Sequence, residues 1–382
     1  MIYLDNAATS YPKPAVVYEA MDNCNRTLAF NVGRGQYDSA SQAAIIVERT
    51  RRQILDFFDY PAGQVIFSSS ATYALNMVLQ GQPYREGDVI YISPFEHNAI
   101  RRILNHLAKK IKIEIRFLSV SKTPFMFDLQ AISKQFSNDP PSYVFISHAS
   151  NVCGAVAPIK EIFTLAKLYG ATTVVDTAQS AGHVFITMRN IMADYVIFAG
   201  HKALLGPIGI GGILMHSKDS NLFPTIFGGT GFDSRNPYMP NELPYRLESG
   251  SLNIVAIAGL SASLQWINEI GIELIAAHER KMLNKIQTVL EDSDSISCLG
   301  VDYQGDRVGV LSCISDGYSP DEFGLILNKN SICARTGLHC SPDAHKFFNT
   351  FPGGTIRFSV GWFTTEEDID LLASVIHELL EV

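Results

Sequence analysis

The strongest constraint in this chain is an alternation of short β-rich runs with helical patterns between Val65 and Met215. Val65-Ile66-Phe67 reads as a strand, and about Thr72 to Leu79 as a helix. Asp88 to Ile92 is a second strand, before a helix with Ile100, Ile103, Leu104 and Leu107 on one face. Ile113 to Leu118 and Tyr143 to Ile146 follow as strands. A helix then starts at Pro158 and carries Ile159, Ile162, Leu165, Ala166 and Tyr169 at helical spacing. Thr172 to Val175, Tyr195 to Phe198 and Ile210 to Met215 complete the strand set. Such alternation predicts an α/β fold with a mostly parallel sheet covered on both faces, whose ligands sit beyond the carboxyl ends of the strands.

Asn221 to Tyr245 is rich in Gly, Pro and aromatic residues and reads as a long functional loop. Two helices follow, from Ile254 to about Glu269 and from Gly271 to Glu291. The remainder reads as a smaller α+β unit, with strands at Val308 to Ile314 and Thr355 to Val360 and a final helix from Thr365. The domain boundary is placed near Leu252.

At 382 residues with 47% hydrophobic content, the chain can bury a large core. Its 30 basic and 38 acidic side chains give a net charge of −8, with no basic stripe. That argues against nucleic acid or an anionic membrane as main partner. The best apolar run, Tyr195 to Met215, is interrupted by His201, Lys202 and Pro207, so no membrane span is expected. Met1-Ile2-Tyr3-Leu4-Asp5 lacks the basic and apolar regions of a signal peptide. The six cysteines have neither CxxC nor zinc-site spacing, so no metal is expected. Reduced thiols and a cytoplasmic location are the expectation.

Several residues carry chemistry. Lys202, in Gly200-His201-Lys202, follows the apolar run Tyr195 to Ala199 and precedes Gly-rich turns. Desolvation there frees an amine for attack on a carbonyl; an exposed loop lysine is the equal alternative. Asp176 ends another apolar strand at the same sheet edge, twenty-six positions earlier. A carboxylate there can hold a pyridine nitrogen protonated, as pyridoxal chemistry needs, or it can merely cap the next helix. Gln179 could donate to the ring hydroxyl. Ser68 to Thr72 sits at a helix start, suited to a phosphate or to plain capping. His97 lies just past a strand and can stack on a planar cofactor. Cys340 lies in the turn-rich Arg335-to-Pro342 segment, where cationic neighbours His339 and Arg335 would favour its thiolate. Cys298 and Cys313 read as small core residues. Arg357, inside an apolar strand, needs an anion: a substrate carboxylate or a structural salt bridge.

Together these segments resemble the class V aminotransferase branch of fold-type I PLP enzymes, in particular cysteine desulfurases of the Suf-type and selenocysteine lyase-like group. The resemblance runs nearly end to end. It includes Tyr3-Leu4-Asp5-Asn6-Ala7-Ala8-Thr9, Glu96-His97-Asn98, Ser150-Asn151-Val152-Cys153-Gly154 and Val175-Asp176-Thr177-Ala178-Gln179. It continues through Gly200-His201-Lys202 with Gly206-Pro207, Gly228-Gly229-Thr230-Gly231, Glu248-Ser249-Gly250-Ser251-Leu252-Asn253, the Arg335-to-Cys340 loop and Arg357.

The resemblance implies a large PLP-binding domain over 15–252, with a mostly parallel seven-stranded sheet. A small α+β domain of 1–14 and 253–382 would carry the nucleophile loop. Lys202 would hold pyridoxal 5′-phosphate covalently and move the Cα proton. Asp176 would pair with the ring nitrogen, Gln179 with the ring hydroxyl, and His97 would stack on the ring. Thr72, with Ala71 beside it, and His201 would bind the phosphate. Thr230 would reach the cofactor of the other subunit in a homodimer. Asn151 and Arg357 would hold the substrate carboxylate, with Arg335 close by. Cys340, on a mobile loop, would take the sulfur of L-cysteine as a persulfide, leave L-alanine, and pass the sulfur to an acceptor protein for iron–sulfur cluster assembly or thiolation. Ala71 and Ala199 depart from the commoner pattern, where hydroxyl residues supply phosphate donors.

Selenocysteine lyase, cysteine sulfinate desulfinase or another C–S lyase would use the same scaffold. A Rossmann-type oxidoreductase lacks support, because no G-x-G-x-x-G follows the first strand. A PLP-free binding scaffold is hard to reconcile with an intact set of Lys202, Asp176, His97 and Cys340.

Overall fold

The computed structural model describes residues 1–32, 35–216 and 222–380. Seven strands form the main sheet, in the order Gly63–Ser68, Gly211–His216, Tyr195–Ala199, Thr172–Asp176, Tyr143–Ser147, Val89–Ile92, Glu114–Phe117. From Tyr195–Ala199 out to Glu114–Phe117 every neighbouring pair is parallel. Gly211–His216 runs antiparallel to both its neighbours. Its reversal has a simple cause: residues 200–210 fold as a tight turn, too short to carry a helical crossover.

Side-chain alternation divides the sheet between two cores. Ile90, Ile92, Phe145 and Ile197 face the helices Ala71–Gln80 and Asn98–Ile111, which bury Leu75, Val78, Ile100 and Leu104 there. Tyr91, Val144, Ile146, Val175, Val196 and Phe198 face the opposite core with helices Ile159–Lys167 and Ile254–Ile270. Helices of ten to fourteen residues are marginal alone. Each fully buried Leu or Ile adds about 2 kcal/mol, so packing on the sheet decides their stability.

A second sheet of four antiparallel strands has the order Ile296–Cys298, Val310–Ser315, Thr355–Ser359, Arg335–Gly337. It shares a core with helices Ile272–Glu291, Pro320–Lys329 and Glu366–Leu380. The N-terminal Ile2–Tyr3 pairs in parallel with Ile332–Cys333, so the first residues join this unit.

Helices Ala15–Thr27 and Asp38–Phe57 pack against Ile254–Ile270 and were not evident in the sequence. Asp38–Phe57 buries only a narrow stripe, including Ala40, Ala43, Val47 and Ile54, among charged neighbours. The hairpin Val120–Lys122 with Phe125–Phe127 and the helix Leu129–Asn138 were also missed. Asn221, the start of the long loop, lies outside the described residues. From 222 to 253 the chain forms neither helix nor strand. No helix among the described residues is long and apolar enough to cross a membrane.

Candidate active site

The carboxyl ends of the parallel strands set the site. Thr172–Asp176 ends on Asp176, Tyr143–Ser147 ends shortly before Asn151, Val89–Ile92 leads to His97, and Tyr195–Ala199 leads to Lys202. One cleft at this edge is lined by Lys202, Asp176, Gln179, His97, Asn151 and His201. The N-terminus of helix Ala71–Gln80 closes one side, bringing Ser70, Ala71 and Thr72 to the same cleft, and Ala199 forms part of the floor. Residues spread over more than 120 positions of sequence thus face one space.

Lys202 sits in the turn after its strand, and Leu205 N–H donates to its carbonyl at 2.8 Å. Burial lowers the pKa of its amine; Asp176 opposes this, and Arg357 and Arg335 add to it. Asp176 is buried, and its Oδ1 accepts from Ala178 N–H at 2.9 Å. Burial raises its pKa, while the Ala178 N–H and Lys202 pull it down. A buried carboxylate with one backbone donor is well prepared to pair with a cationic ring nitrogen.

His97 caps helix Asn98–Ile111: its Nδ1 accepts from Ala99 N–H at 3.0 Å, which leaves the proton on Nε2. Burial, then Lys202 and Arg102, lowers its pKa to about 4, so the ring is neutral near pH 7. Gln179 Nε2 donates to Ala7 O at 2.8 Å. The carbonyl of His201 accepts from Ser10 N–H and Thr9 Oγ1, both at 3.0 Å, which fixes the Gly200-His201-Lys202 turn against the N-terminal segment. His201 Nδ1 is buried without a hydrogen-bond partner.

Ser70 is a true N-cap, its Oγ accepting from Tyr73 N–H at 3.3 Å. Plain capping therefore holds for Ser70, while the free helix N–H groups and Thr72 face the cleft. Gly211 permits the close approach here: a Cβ would lie 2.8 Å from Ala71 N.

These residues fit pyridoxal 5′-phosphate. The desolvated amine, the buried carboxylate with spare acceptor capacity, the unpartnered His201 Nδ1 and the helix N-terminus match its aldehyde, ring nitrogen and phosphate in kind.

The remaining predicted residues lie around the cleft. Cys340 is exposed and lines an adjoining groove with Thr72, His97, Asn98, Arg102 and His106. Its segment is a short turn between strand Arg335–Gly337 and helix Pro342–Phe347, with Cys340 O accepting from Asn98 N–H at 2.7 Å. His339 is not the cation expected beside it: burial first, then Arg357, drives its pKa down to about 2. Arg357 is fully buried; Nη2 donates to Asp5 Oδ1 at 2.6 Å and Nη1 to Asn151 O at 3.1 Å. The structural salt bridge is therefore present, while its Nε keeps no partner. Arg335 is exposed, and Thr230 lies on the long loop, outside the cleft of its own chain. Cys313 is buried and Cys298 partly so, as core thiols.

Sequence reasoning missed the layer beneath the cleft. Glu96 is buried and accepts from Ser147 Oγ at 2.7 Å and Ser93 Oγ at 2.6 Å. Burial pushes its carboxyl up to about 7 against those donors. Ser147 lines the cleft, so Glu96 braces its floor. Its place in Glu96-His97-Asn98 was the only available signal.

The model of the aminotransferase class-V family matches residues 2–372. A "probable cysteine desulfurase" of Methanothermobacter thermautotrophicus is 32% identical over 385 residues, covering 99% of this chain and 94% of that protein. One from Pyrococcus abyssi is 30% identical, covering 100% of this chain and 94% of its own. Among solved structures, an apo cysteine desulfurase from Thermococcus onnurineus superposes with a TM-score of 0.91 at 29% identity. It covers all of this chain and 94% of its own. With its family's match spanning almost every residue and its cleft built from the expected groups, the chain belongs to the class V aminotransferases.

Proposed function

We propose that this protein is a PLP-dependent cysteine desulfurase, which converts L-cysteine to L-alanine and takes the sulfur onto Cys340 as a persulfide. The observation that carries the reading is the single cleft that gathers Lys202, Asp176, His97, Gln179, Thr72 and His201, with Cys340 on the groove beside it. Cysteine desulfurase relatives that cover the whole chain support it.

When bound, pyridoxal 5′-phosphate supplies an electron sink for charge developing at the substrate Cα. Lys202 holds it and, being desolvated, takes the Cα proton on Nζ. Asp176 would keep the ring nitrogen charged, Gln179 would contact the ring hydroxyl, and neutral His97 would stack on the ring. Thr72, His201 and the helix N-terminus after Ser70 would hold the phosphate, with Ala71 contributing backbone. Arg357 and Asn151, with Arg335 at the rim, orient the substrate carboxylate. The Cys340 sulfur attacks the substrate sulfur as the Cβ–S bond breaks, and those bond electrons return to carbon, which is protonated to alanine.

Further parts of the reading concern assembly and use. The chain divides into a large unit of 15–252 and a small unit of 1–14 with 253–382, except that helix Ile254–Ile270 packs on the core of the large unit. It acts as a homodimer in which Thr230 completes the phosphate site of the other subunit; its place outside its own cleft supports this. The free thiols suit a cytoplasmic enzyme. An acceptor protein then carries the sulfur toward iron–sulfur clusters or thiolation.

The test is alanine and sulfide release from L-cysteine with and without reductant. Alanine should form in both, and free sulfide should need the reductant. Full activity in Cys340→Ala would remove the persulfide role.

A further inference from the structure

The backbone at Cys340 is unusual. His339 and Cys340 both adopt left-handed conformations, with φ of +47° and +59°. Two consecutive non-glycine residues of this kind persist only where the surroundings hold them. Asn98 N–H holds the Cys340 carbonyl from one side.

The other hold comes from Asn151 and Ser341. Asn151 Nδ2 donates to His339 O at 2.6 Å, and Ser341 Oγ donates to Asn151 Oδ1 at 2.7 Å. The donor pattern is forced: a backbone carbonyl only accepts, so the amide nitrogen must face His339, and the oxygen is left for the Ser341 hydroxyl. Both side chains are buried, with Ser341 fully so. The residues on either side of Cys340 in sequence are thus joined through one amide. Arg357 Nη1, donating to Asn151 O at 3.1 Å, ties the same residue to the carboxylate-binding side of the site.

We infer that Ser341, acting through Asn151, is a positioning residue that holds the Cys340 sulfur in its attacking geometry. The inference rests on the reading of Cys340 as the sulfur acceptor. Removing the Ser341 hydroxyl leaves Asn151 Oδ1 buried without a donor and frees the turn from one of its two anchors.

The experiment uses the holoenzyme with Ser341→Ala and Ser341→Thr. In Ser341→Ala, iodoacetamide alkylation of Cys340, followed by peptide mass spectrometry, should rise about threefold as the turn gains freedom. Its kcat on L-cysteine should fall about tenfold, with a smaller rise in KM, because the nucleophile is misplaced more than the Asn151 contact to the substrate carboxylate. Ser341→Thr keeps the hydroxyl and should restore both values. Asn151→Leu removes the opposite partner and should raise the alkylation rate in the same way, which keeps the inference testable if Ser341→Ala folds poorly. An alkylation rate in these variants equal to the native one overturns the inference. If Cys340→Ala keeps its activity on L-cysteine, the sulfur-acceptor reading falls instead, while the alkylation rates still decide whether the turn is held this way.

Discussion

Arg335 and Arg357 stand directly opposite each other on neighbouring antiparallel strands. Like charges in that register repel. Asp5 compensates only Arg357, whose Nε stays without a partner, and Arg335 is exposed. The pair therefore forms a local surplus of positive charge beside the cleft, suited to a carboxylate.

Arg357→Lys should accordingly raise KM for L-cysteine by about tenfold or more, with a smaller change in kcat. A lysine supplies a point charge without the planar fork. Steady-state kinetics check this, and an unchanged KM would remove Arg357 from substrate binding.

Asp5→Asn tests the other side of the same guanidinium. Removing the partly exposed carboxylate leaves the buried Arg357 charge without its ion-pair partner, which costs about 3 kcal/mol. Urea unfolding should show a matching drop in the midpoint. An unaltered midpoint would mean that solvent or another group compensates Arg357.

Asp176→Asn should retain the fold, because an amide can still accept from Ala178 N–H. Activity should fall by about 10² or more, since a neutral group no longer stabilises positive charge on the ring nitrogen. Circular dichroism and alanine formation separate the two effects. Activity within a few-fold of native would contradict the assignment.

His148 predicts a pH dependence of stability. Its backbone N–H donates to the Asp176 carbonyl at 2.9 Å, its ring Nδ1 meets Ser180 Oγ at 2.9 Å, and burial lowers its pKa to about 4. Between pH 6.5 and 4 the unfolded chain binds this proton and the folded chain does not. Its contribution is therefore complete above about pH 6.5 and is lost as pH falls, by about 3 kcal/mol across the window. His148→Gln should flatten the fall in stability between pH 6.5 and 4. An identical slope would mean that His148 is protonated in the fold.

The legible parts of the site were those with a local signature. A buried strand ending on Asp176, and another running into Gly200-His201-Lys202, announce a shared sheet edge through hydrophobic pattern alone. The Arg357–Asp5 pair joins residues at opposite ends of the chain, and no spacing rule reaches that far. The hydrogen bonds from Asn151 and Asn98 to the Cys340 turn come from residues distant in sequence, and nothing in the local Gly, Ser and Pro pattern points to them. Helix Asp38–Phe57 escaped notice because its buried stripe is narrow and made partly of alanine.

The most direct test concerns the amine of Lys202. The protein is loaded with pyridoxal 5′-phosphate, reduced with borohydride, digested and mapped. The account predicts one pyridoxyl label, on the peptide containing Lys202, and loss of both label and activity in Lys202→Ala. Lys13 is the built-in rival: its amine donates to the His201 carbonyl at 3.4 Å, and burial lowers its pKa to about 8. A label on Lys13, or one that survives Lys202→Ala, would contradict the account.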